Sequence, residues 1–255
     1  MQLTKTNTMD AIHSHKSIRK YKDTPISGPI LQHILQAGSR ASTTGNMQVY
    51  SIVVTTETSL KEQLWESHFK QPMVKQAPVI LTFCADFNRF NRWCEQRDAK
   101  PGYNNFLSFI TAAIDALLAA QNVAIAAETQ GLGICYLGTT TYMAQRIIDI
   151  LKLPKGVVPV TTIVLGHPDE TPELTDRLPL EAIVHYETYQ DYTPETIDQL
   201  YSEKETSEFY KKIIADSGTQ NLAEVFSQKR YTQADNEHFS RTLLQVLAAQ
   251  GFMQQ

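Results

Sequence analysis

From Asn105 to Gln130 the chain carries only two charged residues, Asp115 and Glu128, and neither glycine nor proline. Alanine is the commonest residue in this stretch, and alanine is the strongest intrinsic helix former. The segment reads as one helix, roughly 40 Å long at ~1.5 Å per residue. It is apolar on most sides between Ile110 and Ala127, and a helix that is apolar all round is buried. Small side chains let other helices approach closely. This element is therefore expected at the centre of the fold, with a partner subunit among the surfaces that could cover it. Its most apolar part, Ala116 to Ala127, contains Gln121 and Asn122 and lies between Asp115 and Glu128, a run too short to span a bilayer.

Around this spine, helices and strands alternate. A short helix is expected near Met9–Ser14. Ser27 stands as an N-cap for a helix in which Ile30, Leu31, Ile34 and Leu35 share a face, ending near Gly38. Strands are expected at Val49–Thr55, Val79–Cys84, Ile134–Leu137 and Val157–Gly166, the second opened by Pro78. Helices are expected at Leu60–Ser67 and Tyr142–Leu151. The stretch from His167 to Pro179 is rich in proline and reads as a loop, and helical patterns return at Pro194–Ile214 and His238–Gln250. This mixture indicates an α+β or α/β sandwich, with a core over residues 1–193 and a helical C-terminal extension over 194–255.

Composition narrows the function classes. The chain has 255 residues, 42% of them hydrophobic, enough to bury a sizeable core. Its net charge of −4 offers no basic face for nucleic acid or an anionic membrane surface. The three cysteines have no C-x-x-C spacing and no histidine at ligand distance, so no metal site is expected. Cys84 and Cys135 sit in apolar runs and read as small core residues. The N-terminal MQLTKTNTMD has no apolar run of signal-peptide length, and the expected location is the cytoplasm.

Most familiar chemical motifs are missing. Gly131-Leu132-Gly133 follows a helix and precedes a strand, the reverse of the order a dinucleotide-binding turn requires. There is no nucleophile elbow, zinc-binding helix or P-loop. What remains is His15-Lys16-Ser17-Ile18-Arg19-Lys20-Tyr21. In an extended segment His15, Ser17 and Arg19 project to one side, and an imidazole, a hydroxyl and a guanidinium together suit a phosphate.

That heptapeptide resembles the opening motif of the FMN-dependent nitroreductases and flavin reductases, and later segments agree in order. Ala41-Ser42-Thr43-Thr44-Gly45-Asn46-Met47-Gln48 is similar to the family's hydroxyl-rich flavin loop. Phe83 to Arg89 is similar to a family strand and its exit, Asp115 to Gly133 to the central helix, and Arg177-Leu178-Pro179 to a late phosphate-binding turn. The similarity is to the NADPH-linked oxygen-insensitive nitroreductases and flavin reductase P, over residues 9–185. It implies a three-layer sandwich with a central mixed sheet, a homodimer, and FMN as cofactor with NADPH or NADH as co-substrate. It also implies a ping-pong reaction on nitroaromatics, quinones or free flavin. The alternative is an FMN carrier or sensor without turnover.

By the same resemblance, His15, Lys16, Ser17 and Arg19 hold the ribityl phosphate end, and Arg177 joins them. Thr43 and Gln71 contact the flavin. Tyr136, Leu137 and Gly138 run over the ring, where a backbone N–H can meet N5. Since the flavin carries the redox chemistry, no catalytic side chain is assigned. Thr175 replaces a lysine expected near the phosphate. Thr139-Thr140-Thr141 replaces a second glycine and then an arginine. In the extension, Arg230 of the Lys229-Arg230 pair is the candidate for gripping the NADPH 2′-phosphate.

Overall fold

The structure, a computed structural model, describes residues 6–254. Its elements run α1 (Thr8–His13), α2 (Gly28–Gly38), β1 (Tyr50–Thr55), α3 (Thr58–Ser67), α4 (Pro72–Gln76) and β2 (Val79–Asp86). There follow α5 (Asn88–Glu95), α6 (Phe106–Thr129), β3 (Gly133–Leu137), α7 (Ala144–Leu151) and β4 (Val157–Gly166). Beyond these lie α8 (Pro194–Thr206), α9 (Glu208–Ser217), α10 (Leu222–Glu224) and α11 (Gln233–Gln250).

The four strands form one sheet in the order β1-β2-β4-β3, with helices on both faces. Side chains alternate along each strand and so feed two separate cores. Leu81, Phe83, Ile163, Leu165 and Ile134 meet the alanines of α6 and Ile34 of α2. On the other face Ile80, Val164, Cys135 and Leu137 meet Leu64 of α3, Val74 of α4 and Ile147 of α7. The three-layer sandwich is thus present. Every pairing in the sheet is antiparallel, however, which corrects the expected mixed sheet. A helix between two strands requires a parallel crossover only when it carries the chain back to the end where the first strand began. Here α3 with α4, and α7, return the chain at the end it left, so β2 and β4 enter antiparallel.

The small side chains of α6 do what its composition implies. At Gly38 a Cβ would lie 2.3 Å from Val123 Cγ2, so α2 packs on α6 closer than any side chain would permit. By length and apolar content α6 could cross a membrane, yet Ala112, Ala116, Ala120, Val123, Ala124 and Ala127 are buried in the core. Burial is one-sided. Leu107, Ile110, Ile114, Leu117 and Leu118 form an exposed apolar stripe on the opposite side, so within one chain the helix is not buried all round.

Two short helices, α4 and α5, carry no periodic apolar signal long enough to read from sequence. The helical pattern expected over 194–214 is two helices, because Ser207 is extended and caps α9 by accepting from Tyr210 N–H. The chain divides into two compact units. One holds the described residues up to Glu173 and those from Ser240 onward; the other is Leu174–Phe239. This differs from the expected boundary at 193. Val246, Leu247 and Phe252 are buried with Phe87 and Phe109, which returns the chain's end to the first unit.

Candidate functional site

Residues 15–20, outside any helix or strand, meet the outer side of β3, the edge strand next to β4, at Ile18. Ile18 N–H donates to Ile134 C=O at 2.8 Å. A Cβ on Gly133 would lie 2.6 Å from Ile18 Cγ1, so a glycine is required for this approach. Ile18 is buried, and Ser17 and Arg19 flank Cys135 on β3. Burial pushes the Cys135 thiol up, with Arg19 and Ser17 opposing the shift. His15 departs from the expected trio: its Nδ1 lies 2.7 Å from Glu128 Oε1 at the end of α6. Desolvation raises the Glu128 carboxyl, and His15 counteracts it. Lys16 Nζ donates to Pro172 C=O at 2.8 Å. Glu170 Oε1 accepts from the backbone N–H groups of Arg19 at 2.5 Å and Lys20 at 3.1 Å, placing a carboxylate beside the cations.

At the far end of β3, Tyr136 donates its hydroxyl to Gln121 Oε1 at 3.2 Å. Gly138 is exposed, and a Cβ built on it meets nothing within 4 Å. Among the described residues its N–H finds no partner. The next three residues fold back tightly. Thr140 Oγ1 donates to Leu137 C=O at 2.9 Å, and Met143 N–H donates to Thr139 C=O at 3.2 Å.

The loop carrying Thr43 is tied to α6. Asp115, 1% exposed, accepts from Thr44 N–H at 3.0 Å and from Val49 N–H at 3.2 Å. Arg89 donates from the other side to the carbonyls of Gln48 and Tyr50. These contacts hold a turn in which Asn46 and Gln48 both have positive φ.

Gln71 belongs to a second strained loop. Phe69 and Lys70 have φ of 54° and 57°, a conformation costly for side chains with a Cβ. Lys70 N–H donates to Trp65 C=O at 2.9 Å, closing α3 where glycine would ordinarily stand. Gln71 Nε2 donates to His68 C=O at 3.0 Å. His68 itself is fully buried, with Nδ1 2.8 Å from Thr139 Oγ1 and Nε2 unpartnered. Desolvation pushes its imidazole down to about 4, so it is neutral at ordinary pH. A buried N–H without an acceptor is rarer than an unpartnered lone pair. Nδ1 therefore carries the proton and donates to Thr139.

The remaining two candidates lie in the second unit. Arg177 Nη1 donates to Thr175 Oγ1 at 2.8 Å and to the carbonyls of Thr175 and Asp176, so Thr175 helps position this arginine. Arg230 is exposed and sits with its Cζ 5.9 Å from the Phe226 ring centroid. Sequence reasoning missed Asp115, Glu128, Glu170 and His68. Asp115 alone carried a usable signal, an isolated carboxylate inside an apolar helix.

The model of the nitroreductase family matches residues 12–167. The chain is 34% identical over 216 residues to the FMN reductase (NAD(P)H) of Bacillus subtilis, covering 84% of this chain and 87% of that protein. It is 35% identical over 183 residues to the oxygen-insensitive NADPH nitroreductase of Salmonella typhimurium, covering 72% and 75%. A crystal structure from Bacteroides fragilis superposes with a TM-score of 0.95 at 51% identity, covering 96% of this chain and all of the other.

Proposed function

This chain belongs to the nitroreductase family, and from that premise we propose that it is an FMN-dependent NAD(P)H oxidoreductase. The observation that carries the reading is the edge of β3. Gly138, with an open side and an unpartnered N–H, immediately follows the strand that carries Cys135, which Ser17 and Arg19 flank. At ~3.3 Å per residue these two ends are roughly 10 Å apart.

The residues present fit the cofactor. Arg19 and Lys16 supply cationic donors and Ser17 a hydroxyl for a phosphate, while His15 is engaged by Glu128. The open side of Gly138 leaves room for a flat ring, and its N–H is available to a ring nitrogen. Thr43 and Gln71 stand on loops pinned by Asp115 and His68. Bound FMN would supply two-electron chemistry, drawing on NADPH or NADH and delivering to a nitroaromatic, a quinone or free flavin in alternating half-reactions. The chain's own residues bind and orient, and none is required to move a proton.

The exposed stripe of Leu107, Ile110, Ile114 and Leu117 supports a homodimer built on α6, because a monomer rarely leaves so continuous an apolar surface open. The test is direct. Purified protein should carry bound flavin, lose its visible absorption on anaerobic addition of NADPH, and regain it with a quinone. A colourless chain that takes up no FMN refutes the reading. Bound flavin that NADPH and NADH leave unchanged assigns a carrier instead.

A further inference from the structure

His68 joins two segments distant in sequence. Its imidazole donates to Thr139, the residue after Gly138, and its carbonyl accepts from the side chain of Gln71. We propose that His68 is a positioning residue for the flavin site, fixing the Gly138 peptide through Thr139 and Gln71 through its own main chain. This rests on the FMN reading above.

The surroundings make the link a stiff one. His68 has no exposed surface and is followed by two residues in left-handed conformation. On the other side, Thr139 begins the turn closed by Thr140 on Leu137 and by Met143 on Thr139. Because Nδ1 gives its proton to Thr139 Oγ1, the threonine hydroxyl keeps its own proton to donate elsewhere. Thr139 is half-buried and follows the exposed Gly138 directly in the chain. Two donors, the Gly138 N–H and the Thr139 O–H, are then offered at neighbouring positions, with the second aimed by a histidine outside the site. A run of three threonines is what lets this happen: a glycine at 139 would leave the imidazole with no partner on either nitrogen.

The experiment uses the FMN-loaded protein and four variants: Thr139→Val, which keeps shape and removes the hydroxyl, Thr139→Ser, which restores it, His68→Leu, and the double variant of His68→Leu with Thr139→Val. For each, the FMN dissociation constant, the visible flavin spectrum, the flavin midpoint potential and the melting temperature are measured. Thr139→Val should fold and bind FMN with an altered spectrum and potential, and its dissociation constant should rise roughly three- to tenfold, the worth of one hydrogen bond. Thr139→Ser should return all three readouts to wild type. His68→Leu should shift the flavin as Thr139→Val does, and the double variant should shift it no further. Wild-type spectrum, potential and affinity in Thr139→Val overturn the proposal, as do effects that add in the double variant. If His68→Leu does not fold, the two Thr139 variants decide alone. A wild-type chain that takes up no FMN would overturn the functional reading, and this proposal with it.

Discussion

The burial of His68 sets a measurable pH dependence on stability. Desolvation holds its imidazole at about 4 in the folded chain, against an ordinary value of 6.5, and no carboxylate offsets the shift. Between these values the unfolded chain takes up a proton that the folded chain refuses, so acid favours unfolding. The contribution is fully present above the unfolded value and drains away as pH falls toward the folded one. At 1.36 kcal/mol per unit, the loss between pH 7 and pH 4.5 is roughly 2.5 kcal/mol from this one side chain. The perturbation is His68→Gln, which cannot titrate. Urea unfolding at pH 7, 5.5 and 4.5, at fixed protein and FMN concentration, gives stability curves for both proteins. All other ionisable groups are shared, so the difference between the curves isolates His68. The wild type should lose about 2.5 kcal/mol more than the variant over this range. Parallel curves would show that the imidazole is not held neutral and would refute the account of its burial.

Four further outcomes follow from the geometry. Arg19→Ala should weaken FMN binding by about one to two decades, the worth of a charged hydrogen bond to phosphate, and leave the melting temperature nearly unchanged; fluorescence titration with FMN checks it. Asp115→Asn should cost roughly 1–3 kcal/mol and weaken FMN binding as well, since an amide can accept from only one of the two N–H groups it faces; equal affinity and equal unfolding midpoints would remove the anchor role. Ile114→Glu, placed in the exposed stripe of α6, should yield monomer by sedimentation at micromolar concentration, and the wild type should sediment as a dimer. Arg230→Ala should lower kcat/KM for NADPH and leave that for NADH unchanged if its guanidinium grips the 2′-phosphate; an equal fall for both takes it out of the nicotinamide site.

Element types were legible in the chain wherever periodicity ran long enough. The 24 residues of α6 and the ten of β4 stand where alanine content and β-branched content place them. A helix this long carries its signal over many turns, and β4 carries four valines and an isoleucine in ten residues. α4 and α5 were not legible: α4 is little more than one turn, and α5 carries only Phe90, Trp93 and Cys94 as apolar residues, whereas α7, equally short, carries five. Strand direction was also beyond local pattern, since alternation along a strand is the same whichever way its neighbour runs.

The candidate site divides along the same line. The order of residue types at 15–21, 41–48 and 136–138 is a property of the sequence, and it was enough to name a cofactor class. Which partner each residue takes was decided only on folding. His15 turns to Glu128, 113 positions away; Asp115 holds Val49, 66 positions away; and His68 holds Thr139, 71 positions away. Contacts of this kind leave no periodic mark, because each is a single side chain answering a polar group that the packing of layers has removed from water. The need to satisfy that group exists only once the core has closed.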